Sequence, residues 1–257
     1  MSGRRHEKIV HALLKNIFRK IIKPGDKLPT ERKLSENYNV DRSSLRIALK
    51  QLESMGVLDI RQRDGVYVKN YFKYAGIDFL KTLFSYREGK IRDSIIDEYV
   101  VEELLNFYIE FFPAMLRASL RQFSPRDVRT LLDLCEEALQ NMDDHHKVVA
   151  NDLKFLFLVA ERTNNMVFHL IANSVAPIRS EILYFFLENI SRNDLKEQIE
   201  IQQAIARSFM NTEESDATKV VEIYRKYLIT QKKMIREKYA ATHASTEMVD
   251  NFIKNSV

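Results

Sequence analysis

Six glycines and five prolines among 257 residues leave this chain few points at which it can turn sharply or break a helix. Over long stretches apolar side chains return every three or four positions, the spacing of helices with one buried face. Together these facts predict a mainly α protein. Its 45% hydrophobic and 30% charged residues describe an ordinary water-soluble chain with enough apolar material for a core. Its length predicts about two domains rather than one.

Charge is distributed unevenly. Residues 1–75 hold 17 Lys/Arg against 8 Asp/Glu, a surplus of nine positive charges, whereas the remainder holds 23 against 28. A small basic unit joined to a mildly acidic one is the pattern of a polyanion-binding module that carries a separate sensing or assembly domain. Cys135 is the lone cysteine, so no intrachain disulfide can form and a cytoplasmic location is expected. The start, residues 1–8, is polar and basic with no apolar segment after it, and no run of about eighteen uncharged apolar residues occurs. Neither export nor a membrane span is expected.

Within the basic segment, Ile9, Leu13, Ile17 and Ile21 predict a first helix over about residues 7–22, closed by Pro24-Gly25-Asp26. Thr30 caps a short second helix with Leu34 and Tyr38 facing inward, and Asn39-Val40 makes a tight turn. Asp41 caps a third helix, in which Leu45, Ala48, Leu49 and Leu52 fall at i, i+3, i+4 and i+7 until Gly56 ends it. Its opposite face carries Arg42, Arg46 and Lys50 at four-residue spacing, with Ser43 and Ser44 in the first turn where hydroxyls can reach outward. A helix laid in the major groove offers such residues to the bases: arginine bonds guanine twice, and serine bonds phosphates or bases. Residues 58–62 and 66–68 alternate about Arg63-Asp64-Gly65 and read as a β-hairpin with a basic tip. An isolated basic stripe is usually just a solvated helix face. Placed between a helix-turn-helix pattern and a basic hairpin, it predicts a winged helix-turn-helix that binds double-stranded DNA.

Pro24-Gly25-Asp26-Lys27-Leu28-Pro29-Thr30-Glu31-Arg32-Lys33-Leu34-Ser35 resembles the opening signature of the GntR family of bacterial regulators. Val40-Asp41-Arg42-Ser43-Ser44-Leu45-Arg46, Gln51-Leu52-Glu53, Met55-Gly56-Val57-Leu58 and Gly65-Val66-Tyr67-Val68 are similar to that family's recognition helix and wing. The resemblance covers nearly the whole N-terminal segment. It implies that Arg32 contacts phosphate or base, that Arg42 and Arg46 read bases, and that Ser43 and Ser44 bond the backbone. Gln62 and Arg63 occupy the wing tip, where family members reach the minor groove; Arg63 stands near a place at which the family often has a second glycine.

From Tyr74 onward the pattern is helical, with Ser124-Pro125 opening one helix, breaks at Asn164-Asn165 and Asn193-Asp194, and about seven helices in all. Pro113 predicts a kink or break within residues 105–116. An antiparallel all-α bundle follows. Asp143-Asp144-His145-His146 reads as a solvated loop rather than a metal site, and Cys135, among leucines, as a buried inert thiol. The basic run over residues 225–238 reads as a solvated helix face, the alternative being contact with CoA phosphates. No nucleophile–base pair or phosphate loop emerges, so no catalytic residue is assigned. Only the dispersed carboxylates Asp97, Glu102 and Asp152 keep open an enzyme tethered to nucleic acid.

An all-helical second domain places the resemblance in the FadR branch of the family. Many members of that branch hold a metal with one Asp and three His. Asp152 aligns with the Asp, but Leu156, Gln198 and Tyr227 stand at the histidine positions, so neither metal nor other cofactor is expected. Residues 68–72 with 75–83, and more weakly 116–122, are similar to the fatty-acid-responsive members, which also lack the metal ligands. This implies a small-molecule effector, with long-chain acyl-CoA as the candidate, in an apolar cavity lined by Phe155, Leu156, Tyr184, Tyr227 and Gln231; a filled core is the alternative. The departures are Glu102 in place of an arginine, and Leu228 and Gln231 in place of a glycine and a serine.

The expected organisation is a winged helix-turn-helix at 1–70, a linker helix at 71–86, a helical effector-binding and dimerisation domain at 87–240, and a flexible tail at 241–257. The expected activity is that of a homodimeric repressor or activator on a palindromic operator, because two-fold protein and two-fold site go together. A ligand-independent dimer is the alternative.

Overall fold

The computed structural model describes residues 3–85, 98–210 and 218–237; the predicted tail and residue 86 of the predicted linker lie outside them. The fold is mainly α, with two compact units, one ending in helix α5 and the other starting at α6.

In the first unit, α1 (Gly3–Phe18) buries Ile9, Val10, Leu13, Leu14 and Ile17 and packs on α3. It ends sooner than its periodicity predicts. Lys20 adopts a left-handed φ of 58°, and the N–H groups of Ile21 and Ile22 turn back to the Asn16 carbonyl. Ile21 is therefore 67% exposed rather than on the inner face. Helices α2 (Glu31–Asn37) and α3 (Arg42–Ser54) start at side-chain caps: Thr30 accepts from the Lys33 N–H and Asp41 from the Ser44 N–H. Gly56 closes α3 at a φ of 76°, and a Cβ there would lie 2.1 Å from the Tyr74 carbonyl oxygen, so no other residue fits without movement.

Strands β1 (Leu58–Arg61) and β2 (Gly65–Val68) pair antiparallel, Leu58 opposite Val68 and Ile60 opposite Val66. The period of two turns Val66 and Val68 to the core. Leu28 N–H donates to the Val66 carbonyl and Val68 N–H to that of Asp26, so the turn before α2 is laced to the hairpin. The single-turn α4 (Tyr71–Tyr74) and α5 (Ile77–Ser85) then return toward α1: the Tyr71 ring lies 6.1 Å from Phe18 and 5.3 Å from Phe79. Residues 71–85 are thereby packed into this unit.

The second unit is an antiparallel bundle. Helix α6 (Glu98–Ser119) runs through Pro113, so of the predicted kink or break the break does not occur, and it passes into a 3-10 turn (Leu120–Gln122). Proline removes one backbone donor, a loss that a long helix with buried Phe112, Met115 and Leu116 on either side tolerates. Helix α7 (Pro125–Gln140) opens on a reciprocal Ser124/Asp127 capping box, as the Ser-Pro pair predicts. Helix α8 (His145–Arg162) is capped by Asp144, so the acidic and histidine run is a cap and first turn rather than a loop. Helix α9 (Met166–Leu187) is capped by Asn165 after Asn164 at a φ of 51°. Helix α10 (Arg192–Ser208) is capped by Ser191, which moves the predicted break ahead of Asn193-Asp194 and sets Asp194 in the first turn. A further helix, α11, covers residues 218–237. Among the described residues six helices and the 3-10 turn make up this unit. Helix α7 packs on α8 and α10, and α8 on α6 and α9. By length and composition α9 could cross a bilayer, yet more than half of that stretch is buried in the bundle, as in the core helix of a globular domain.

Asp127 joins two of these helices. Besides capping α7 it accepts two hydrogen bonds, each 2.9 Å, from the Arg162 guanidinium at the end of α8. Arg162 above all, then the Ser124 donors, hold this carboxyl well below the usual carboxylate range against the opposing effect of burial. A depressed carboxylate stabilises the fold above its unfolded-state pKa and ceases to do so as acid protonates it. Asp127→Asn is expected to cost about 1–3 kcal/mol at neutral pH, with the gap to wild type narrowing below about pH 4. Parallel thermal melts between neutral and acidic buffer check both the size and the direction.

Candidate nucleic-acid interface

The outer face of α3 presents Arg42, Ser43, Arg46, Ile47 and Lys50, all exposed, while Leu45, Ala48, Leu49 and Leu52 close the core behind them. Ser44 does not join that outer face. It is 2% exposed, and its hydroxyl donates to Asp41 at 2.8 Å while Ser43 Oγ donates to the other carboxylate oxygen at 2.6 Å. Both serines thus serve the cap, and only Ser43 also faces out.

The stripe's charges are partly matched by local carboxylates. Arg46 Nε donates to Glu31 of α2 at 2.8 Å, and Lys50 Nζ to Glu53 at 2.7 Å. The second oxygen of Glu53 accepts the Ile60 backbone N–H at 3.2 Å, which ties α3 to β1. Arg32, on the exposed side of α2, lies 3.8 Å from Glu36. Among the described residues Arg42 has no acidic partner.

At the hairpin, Asp64 accepts from Lys27 Nζ (3.1 Å) and Tyr67 OH (2.9 Å), and Arg61 lies over the Tyr67 ring at 4.3 Å. Lys27 first, then Tyr67, lowers the Asp64 carboxyl, and Asp64 in return raises Lys27. This cluster stiffens the base of the tip, from which Gln62 and Arg63 project into solvent. Arg63 holds a φ of 62°, the left-handed region where glycine is the inexpensive choice.

Residues 5–68 match the family described as bacterial regulatory proteins, gntR family. These residues form a GntR-family domain. The wider chain is 28% identical over 196 residues to the fatty acid metabolism regulator protein of Pasteurella multocida, covering 76% of this chain and 75% of that one. It is 26% identical over 171 residues to the HTH-type transcriptional regulator Mce2R of Mycobacterium tuberculosis, covering 65% and 67%. Among solved structures, McbR/YncC of E. coli superposes with a TM-score of 0.51 at 14% identity, over 93% of this chain and 98% of that one. Lar, which controls the agr system of Listeria monocytogenes, gives 0.55 at 16%, over 91% and 96%. These two likenesses show the fold alone.

Inside the bundle, the Arg179 guanidinium of α9 binds the Asp152 carboxylate of α8 through two bonds of 2.6 and 2.8 Å, both side chains under a tenth exposed. Gln202 donates to the same carboxylate at 3.2 Å, and Gln231 donates to Tyr227 OH (2.6 Å) and Gln198 (3.1 Å). Burial alone would lower Arg179, but Asp152 outweighs it and the guanidinium stays charged; burial raises the Tyr227 hydroxyl well above its ordinary value and Cys135 to about 12. With Asp152 occupied by Arg179 and Gln202, and Leu156, Gln198 and Tyr227 offering no imidazole, this set does not fit the metal held by many FadR-branch members. Among the described residues no group of three or more His, Cys, Asp or Glu comes together.

A cavity of about 30 Å³ remains beside this network, with Phe155, Tyr227 and Gln231 in its wall, and a second of about 20 Å³ lies against Arg179 and Leu228. Each has the scale of a water site rather than of a metabolite pocket. Leu156 is buried outside that wall, and Tyr184 sits nearer the surface, 2.6 Å from His146 Nδ1. The basic helix α11 is matched by α6: Lys232 pairs with Glu102 at 3.1 Å and Arg225 with Glu110 at 2.6 Å. Glu102, which stands where the fatty-acid-responsive members have an arginine, is thus balanced by lysine on a facing helix, and with Asp152 also paired only Asp97, outside the described residues, is left of the three dispersed carboxylates.

Arg179 escaped the sequence reading, although a lone arginine in a 22-residue apolar helix calls for a buried partner. Asp152→Leu is expected to cost about 3–5 kcal/mol because it strands a buried charge. Pairing it with Arg179→Met should restore much of the loss, and the bundle's denaturant midpoint in the four proteins of that cycle tests the claim.

Proposed function

We propose that this protein is a homodimeric, sequence-specific transcriptional regulator that binds a palindromic operator through its GntR domain. The observation that carries the reading is the outward stripe of Arg42, Arg46 and Lys50 on the domain matched at residues 5–68. Arg42 and Arg46 read base edges, Ser43 and Arg32 bond the backbone, and Gln62 and Arg63 enter the minor groove. The strained backbone at Arg63 supports its role, since a glycine would relieve the strain but carry no charge to the groove. Ser44 acts from behind, through Asp41. A cytoplasmic location and the absence of catalysis go with such a regulator.

In this reading residues 87–240 dimerise and sense a small metabolite, and the linker passes the signal to α1 through Tyr71 and Phe79. A ligand acts by favouring a setting of the two recognition helices that no longer suits the operator half-sites. Long-chain acyl-CoA is the first effector to test, because several relatives are named fatty acid metabolism regulators. The second reading, a dimer with no ligand, draws support from the small cavity and its hydrogen-bonded polar wall.

Two measurements test the base reading and separate these effector alternatives. Arg46→Ala is expected to weaken binding to the selected operator by about 1–3 kcal/mol while leaving scrambled DNA nearly unchanged; equal loss on both duplexes would remove Arg46 from base reading. In fluorescence anisotropy at fixed salt, long-chain acyl-CoA is expected to release the operator, whereas indifference favours the ligand-independent dimer.

A further inference from the structure

The outer face of α3 holds one side chain that neither the core nor the charge pattern explains. Ile47 is 50% exposed, one helical turn beyond Ser43 and adjacent to Arg46. The core behind it is complete without it, since Leu45, Ala48 and Leu49 are each at most 1% exposed. Helix propensity does not select isoleucine over leucine, glutamate or lysine, and the other outward residues here, Arg42, Ser43, Arg46 and Lys50, are all polar. Its neighbours Arg42, Arg46 and Lys50 suit a nucleic-acid surface over Ile47 better than an apolar protein face.

On the major-groove edges of the base pairs, the apolar feature is the 5-methyl group of thymine, and aliphatic side chains contact it. We propose that Ile47 packs on a thymine 5-methyl group and so reads one T·A pair in each half-site, beside the pairs read by arginine. The inference rests on the DNA-binding reading given above. It makes Ile47 a specificity residue whose selectivity comes from shape and burial instead of hydrogen bonding. A cytosine at that position would leave the isoleucine facing an unmethylated edge and an amino group.

The full-length protein is first used to select its preferred duplex from a random pool. Each thymine of that duplex is then replaced in turn by deoxyuridine, which lacks only the 5-methyl group. At one thymine per half-site the replacement is expected to weaken wild-type binding about fourfold, the worth of one buried methyl-sized group. Ile47→Ala should show no such penalty, and Ile47→Val, which keeps both γ carbons on Cβ, should retain it. Thermal melts of both variants, expected to overlay wild type because the site is on the surface, confirm that the fold is intact. If no thymine carries the penalty, or if Ile47→Ala carries it equally, the role of Ile47 is overturned while DNA binding stands. If no sequence is selected at all, both readings fall together.

Discussion

The DNA-facing half of this protein depends on how α3 begins. One carboxylate, Asp41, receives the Ser44 N–H, the Ser44 hydroxyl and the Ser43 hydroxyl, and these donors hold its acid well below the ordinary range. The bonds fix the rotation of the first turn, and from that rotation everything else on the helix follows: Ser44 goes inward, Arg42, Ser43 and Arg46 go outward. At the far end Gly56 turns the chain and Glu53 ties the helix to β1. A helix pinned at both ends presents its side chains with little freedom to re-aim, which is what reading a groove requires.

The winged helix was legible in the sequence because its signals are local and agree with one another: caps at Thr30 and Asp41, a turn at Asn39, a glycine at 56, period-two strands. Where reading failed, the cause lay between residues distant in sequence or in a backbone choice that composition does not reveal. Lys20 in the left-handed region ended α1 early and put Ile21 in water. The partnership of Arg46 with Glu31 spans fifteen residues and has no periodic signature. Likewise the helices of the bundle were legible, while their breaks drifted by a few residues around Asn193, and Pro113 was absorbed. The resemblance marked Leu156 and Tyr227 alike as candidates to face a cavity, but which buried face meets which neighbour is decided by packing alone.

The bundle interior is organised around Asp152 and Arg179. Such a pair adds little net stability over an apolar filling of the same shape, yet it forbids arrangements that would leave either charge alone. Gln202 adds a third donor to Asp152, and beside the pair Gln231 donates to both Tyr227 and Gln198 in a second polar set. Any molecule entering this region has to compete with bonds already made, so affinity there is set by how well a ligand replaces them.

The bond between Glu31 and Arg46 has a consequence for how such a protein travels along a chromosome. A regulator must sample a vast excess of irrelevant DNA, and each free cation on its reading surface lengthens every fruitless stop. In the proposed reading Arg46 leaves this surface pair to bond a guanine edge, which offers two bonds in return. Phosphate alone is a poorer exchange. On that reading the carboxylate that steadies the arginine in solution also weakens its hold at wrong sites, through a contact made before any DNA is met.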